Sequence, residues 1–103
     1  KVLSLPVVVA DLYGQRYLVS MLGNDANWVL NVRAADGQAV LRRDRAERVH
    51  LVDVPVAERA PIIKRYLDVA PGARPHVAVE RTAPLSEIER IAPDHAVFRV
   101  EPA

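Results

Sequence analysis

One stretch constrains this chain more than any other: Tyr17-Leu-Val-Ser20-Met-Leu-Gly23-Asn-Asp-Ala-Asn-Trp28-Val-Leu-Asn31-Val-Arg33-Ala34. An alternating, strand-like run stops at a glycine turn and gives way at once to a short helix. Trp28, Asn31 and Val32 fall at i, i+3 and i+4, so they share one helical face. A turn of small residues at a helix N-terminus presents backbone N–H groups that can approach a planar or anionic ligand. The segment reads as a shelf for a cofactor.

The flanking pattern limits the architecture around that shelf. Val2 to Ala10 is apolar and β-branched, and Pro6 within it suggests an edge strand or a bulge. Asp11-Leu-Tyr-Gly14 is a turn signal, so this run and Gln15 to Leu22 read as a hairpin. In the second strand Tyr17, Val19 and Met21 point one way, and Leu18, Ser20 and Leu22 the other. Asn24 or Asp25 is the expected cap of a helix over roughly 26–35, which Asp36-Gly37 ends. Ala39 to Arg43 and Glu47 to Val54 form a second hairpin. Pro55 to Val69 is the longest helical pattern, with Val56, Ala60, Ile63 and Leu67 at core spacing; Pro61 marks either a kink or the true start. Residues 70–84 read as loop. Ser86 to Ala92 is a short helix with a capping box of Ser86 and Glu89, and Ala96 to Val100 is a final strand.

The order is β-β-α-β-β-α-α-β. Hairpins dominate and no βαβ crossover is evident, which argues against a doubly wound parallel sheet. The expected fold is mainly β with α (α+β): a small antiparallel barrel with helices packed over its openings, one domain spanning 1–103.

Composition narrows the chemistry. The formal net charge is +1, too small to steer nucleic acid or acidic lipid. There is no cysteine, which excludes disulfides, thiolate chemistry and Cys-based metal sites. His50, His76 and His95 are far apart and lack metal-ligand spacing, so no metal is expected. No apolar run approaches the roughly 18 residues of a membrane span, and no signal peptide is visible. The expectation is a cytoplasmic protein, with peripheral membrane association left open. No Ser-His-Asp or paired-carboxylate pattern appears, which counts against a hydrolase and leaves no catalytic residue to name.

Three segments together resemble the deazaflavin-dependent nitroreductase family. They are Leu-Val-Ser20 with its glycine turn and Trp28-x-x-Asn31-x-Arg33-Ala34, then Val54-Pro-Val-Ala-Glu58-Arg59-Ala-Pro, and then Ile91-Ala-x-x-His95-Ala-Val97-Phe98-Arg99-Val100. The resemblance implies a split antiparallel β-barrel of the FMN-binding type and the coenzyme F420, with FMN as the alternative. It implies hydride transfer from the reduced coenzyme to a quinone, nitroaromatic or similar small-molecule acceptor, and it allows a homodimer. Carried over by position, Ser20 borders the ring, and Gly23 and Asn24 bring main-chain donors to the cofactor. Trp28 and Asn31 line the groove, and Arg33 lies near the anionic tail. Met21 stands where many relatives have a basic residue. Lys1 is placed at the end of a phosphate-binding segment that the resemblance puts immediately upstream. Tyr66 is assigned to the substrate pocket.

Each of these residues has a plainer reading. Ser20 can bond its own backbone. Trp28 can plug the barrel mouth, because a lone indole usually serves burial. Asn31 can be an exposed helix residue, Arg33 can pair with Asp36, and Tyr66 can pack half-buried. Arg42, Arg43, Arg45 and Arg48 cluster at a hairpin tip with Asp44 and Glu47 among them, which reads as a solvated turn. A second function also remains open: a non-enzymatic binder of FMN, haem or a fatty acyl chain in the same groove.

Overall fold

The computed structural model describes residues 3–5, 8–42 and 45–103. Among these residues six strands form one open sheet: β1 (Leu3–Leu5), β2 (Ala10–Leu12), β3 (Gln15–Val19), β4 (Gln38–Arg42), β5 (Ala46–Asp53) and β6 (Val97–Pro102). Their order is β1-β4-β5-β6-β3-β2, antiparallel throughout except that β1 runs parallel to β4. Three α-helices complete the α+β fold: α1 (Asn27–Ala34), α2 (Arg59–Val69) and α3 (Leu85–Ile91). Short 3₁₀ turns lie at Val56–Glu58, Pro71–His76 and Ala92–Asp94.

The strand alternation read from sequence sorts side chains onto two faces. Leu18, Ala39, Leu41, Val49, Leu51, Phe98 and Val100 share one face, which α1 covers with Val29 and Val32. Val19 and Val97 turn to the other face, where Ala60, Ile63 and Leu67 of α2 and Ile88 of α3 bury them. An eight-residue helix such as α1 is marginal alone; burying Val29 and Val32 holds it in place.

The first strand departs from expectation. Instead of one strand over 2–10 pairing with the next, the chain makes two short strands at opposite edges of the sheet. Only β2 forms the hairpin with β3. In a flat sheet five strand spacings would separate those edges by about 24 Å. The stretch from Leu5 to Ala10 spans about 18 Å at most. The sheet must therefore curl to bring β1 and β2 toward one another, although no ladder joins them among the described residues. A bidentate Arg16–Glu47 pair, at 2.9 and 2.7 Å, ties β3 to β5 across β6.

Local signals fared unevenly. Asp36-Gly37 does end α1, in a Schellman motif: the Gly37 N–H bonds the Val32 carbonyl, and the Asp36 N–H bonds that of Arg33. Asp36 itself takes the left-handed position, φ 54°. Pro61 falls in the first turn of α2, where its missing N–H has no helical partner to lose. Two caps are corrected. Ala26, not Asn24 or Asp25, precedes α1 and no side chain caps it. Pro84 precedes α3, so Ser86 lies inside the helix and the capping box does not form. At both starts the carbonyl before the helix accepts the first backbone bonds, Ala26 from Val29 and Leu30 and Pro84 from Glu87 and Ile88. Val56 is exposed rather than core. Of the expected hairpin tip, Arg43 and Asp44 lie outside the described residues.

Candidate functional site

β3 ends at Val19, three residues earlier than its alternation suggests. Ser20 therefore opens a turn, and its local bonding explains why. Its N–H donates to the Ala96 carbonyl at 2.9 Å and its hydroxyl to the Gly23 carbonyl at 2.6 Å. Its own carbonyl accepts from His95 Nδ1 at 2.8 Å and from the Gly23 N–H at 3.3 Å. Ser20 is 1 % exposed, and these bonds hold its polar atoms in the turn. Because a carbonyl can only accept, His95 must carry its proton on Nδ1.

The same corner gathers the three segments that carry the resemblance. Arg59, buried, donates from Nε to the Val54 carbonyl at 2.9 Å and from Nη1 to the carbonyls of Ala92 and His95 at 3.3 and 3.2 Å. Desolvation pushes its guanidinium below the ordinary arginine range, with Asp53 opposing and Arg33 reinforcing the effect. Arg59 thus links the start of α2 to the entrance of β6, and His95 passes the link to Ser20. Asn24 joins them through Nδ2, which donates to the Pro93 carbonyl at 2.7 Å. Its Oδ1 is buried with no hydrogen-bond partner, a deficit of about 1–3 kcal/mol unless something meets it.

Past this corner the turn delivers Met21 and Leu22 to a groove of about 460 Å³, within the usual range for small-molecule sites. Val19, the half-buried Trp28, Tyr66 of α2 and the segment Ala70 to Ala73 line it with them. Among the described residues no charged side chain lines it. The indole of Trp28 also packs on Phe98, with ring centroids 5.6 Å apart and planes at 59°, so the ring is held by the core and still borders the groove.

Of the residues singled out by sequence, Met21, Trp28 and Tyr66 meet at this groove. Ser20, Gly23 and Asn24 stand behind it and shape the turn. Asn31 is exposed and does not line it. Arg33 pairs with Asp53 at 2.9 Å rather than with Asp36, and its guanidinium lies 5.8 Å from the centre of the Phe98 ring. Lys1 lies outside the described residues. Among the described residues no cluster of His, Cys, Asp or Glu could hold a metal ion, and no helix is long and apolar enough to cross a membrane. Sequence reasoning missed Arg59 as a staple and assigned His95 no partner. Both sit inside the quoted motifs, but nothing local says which carbonyls they reach.

Tyr66 is 6 % exposed, more deeply set than the half-buried packing considered for it. Burial raises its phenol above the ordinary value. The folded chain therefore keeps this proton at pH values where the unfolded chain has lost it. By linkage, the contribution of Tyr66 to stability is full below about pH 10 and is lost as pH rises toward the raised folded value. Tyr66→Phe should remove that alkaline loss. Urea midpoints at about pH 8 and about pH 11 measure it; equal alkaline losses in both proteins would contradict the assignment.

Comparison of the chain with protein-family models, with curated proteins and with solved structures returns no match.

Proposed function

We propose that the chain is a deazaflavin-type oxidoreductase that seats the ring of reduced coenzyme F420 at the Trp28–Tyr66 groove and directs hydride to a quinone, nitroaromatic or similar acceptor. One observation carries the reading: Met21, Trp28 and Tyr66, all placed at the cofactor or substrate by the resemblance, converge on one groove large enough for a flat heterocycle. The meeting of all three motif segments around Arg59 and His95 supports it. The split-barrel form is supported by the curl that the short β1–β2 connection imposes. A cytoplasmic enzyme, acting as a monomer or a homodimer, belongs to the same reading.

Reduced deazaflavin, when bound, supplies the hydride by its own chemistry. The tasks left to this chain are positioning and drying. Trp28 offers a flat wall fixed by Phe98. Val19, Met21 and Ala73 exclude water. Tyr66 holds its proton and can donate a hydrogen bond to an acceptor oxygen. The residues fit the ring better than the anionic tail, since Arg33 is already paired. That pair is exposed on both sides and worth about 0–1 kcal/mol, so an anion can displace Asp53 at little cost.

Titration of the chain with F420 tests the reading. Trp28 is the chain's one tryptophan, so saturable quenching of its emission reports this groove. The expected result is saturation at micromolar coenzyme, weakened in Met21→Glu, which puts a carboxylate on the apolar wall. Flat emission across the titration would remove the proposal.

The uncharged lining favours a second reading, a non-enzymatic binder of FMN, haem or a fatty acyl chain. Mass spectrometry of protein purified without denaturation separates the two by what travels with it.

A further inference from the structure

The β2–β3 hairpin closes through a two-residue loop, Tyr13-Gly14. Both residues have positive φ, 53° and 77°, as a type I′ turn requires. The first position of that turn suits Asn, Asp or Gly; other side chains crowd the backbone in the left-handed region. A tyrosine there is strained. Burial does not compensate, because Tyr13 is 86 % exposed, more than any other large hydrophobic side chain among the described residues. Strain held at an exposed aromatic residue points to a use for the ring.

That ring lines a surface groove of about 180 Å³, together with Tyr17, Pro55, Glu58, Pro61 and Arg99. The groove shares no residue with the Trp28–Tyr66 site, so the inference is independent of the function proposed above. Arg99 is committed to Glu101 through two bonds to one carboxylate oxygen. The Glu58 side chain is exposed and close enough to Arg99 to stabilise its charge, without a hydrogen bond to it. The surface therefore offers two phenol rings, two proline rings and, around the one guanidinium of Arg99, the carboxylates of Glu58 and Glu101, which leaves an excess of negative charge. It is too small for a drug-sized ligand.

We propose that this groove docks a proline-rich peptide segment carrying a basic residue. Such a segment is already extended as a polyproline II helix, so it loses little entropy on binding and needs no backbone ladder from its host. Its prolyl rings pack on the faces of Tyr13 and Tyr17, and its cation meets Glu58.

The test is an NMR titration of the chain with a peptide of about ten residues, all proline apart from a terminal Arg, and with a counterpart ending in Glu. Saturable shifts around Tyr13, Tyr17 and Glu58 are expected, stronger for the Arg peptide, with Glu58→Gln abolishing that preference. Tyr13→Asn should raise the melting temperature, because Asn tolerates the turn, and should weaken binding about tenfold or more. The rise in melting temperature shows independently that the variant folds. Absence of saturable shifts overturns the proposal, as does unchanged binding by Tyr13→Asn. A concentration-dependent dimer that Tyr13→Asn dissolves would also overturn it, by making a second copy of the chain the occupant.

Discussion

Gly37→Ala should lower the stability of this protein by about 3–5 kcal/mol, measured by urea unfolding followed through Trp28 emission. Gly37 has φ +81°, and a Cβ built there meets the Leu51 carbonyl oxygen at 2.3 Å and the His50 ring at 3.0 Å. The oxygen cannot step aside, because β5 is held on both flanks, by β4 and by β6. The Gly37 carbonyl accepts from the Leu51 N–H at 2.7 Å, so moving either residue also breaks the first bond of the β4–β5 pairing. Strain, overlap and a lost hydrogen bond act together. Gly14→Ala is the control. Its φ is +77°, yet nothing lies within 4 Å of the added Cβ, so only the left-handed strain remains, about 1–2 kcal/mol. A loss at Gly37 no greater than at Gly14 would refute the steric argument.

Arg59→Met should cost about 3 kcal/mol. The change keeps most of the aliphatic stem and removes the donors. The carbonyls of Val54, Ala92 and His95 would lose the guanidinium; that of Ala92 keeps the His95 N–H at 3.3 Å, and a buried carbonyl left without a partner costs about 1–3 kcal/mol. Part of this is returned, since burying the cation is itself unfavourable. Arg59→Lys should fall between, because one ammonium cannot match the spread of a guanidinium. The same variants should weaken ligand binding at the Trp28 groove, because the Ser20 turn hangs on His95. Urea midpoints measure the first effect and Trp28 quenching the second. A loss below about 1 kcal/mol in Arg59→Met would mean that the Val54 and His95 carbonyls find other donors.

Some features were legible because they are local. Period-two alternation in β3 set Leu18 apart from Tyr17 and Val19, and it held because β3, β4, β5 and β6 bury the Leu18 face together. The spacing of Ala60, Ile63 and Leu67 named the inner stripe of α2. Gly14 and Gly37 marked turns because positive φ is written in residue type.

Other features were settled by docking between distant segments. Nothing in Leu3 to Leu5 says that they pair with β4 rather than with their neighbour, and a parallel register leaves no mark in the residues themselves. Asn24 is a good cap by type, yet its Nδ2 is tied to the Pro93 carbonyl and its Oδ1, the atom a cap would use, meets no backbone N–H. Asp36 is nearer Arg33 in sequence, but Asp53 is where the β5 strand ends. The groove draws its walls from residues as far apart as Val19 and Ala73, and only the curl of the sheet and the seating of α2 bring them together. Sequence alone determined which faces are apolar and where the chain turns, since neighbouring residues decide both. Tertiary structure decided which edges meet, which donors find which acceptors and where a ligand could lie, because those depend on residues tens of positions apart arriving at the same place.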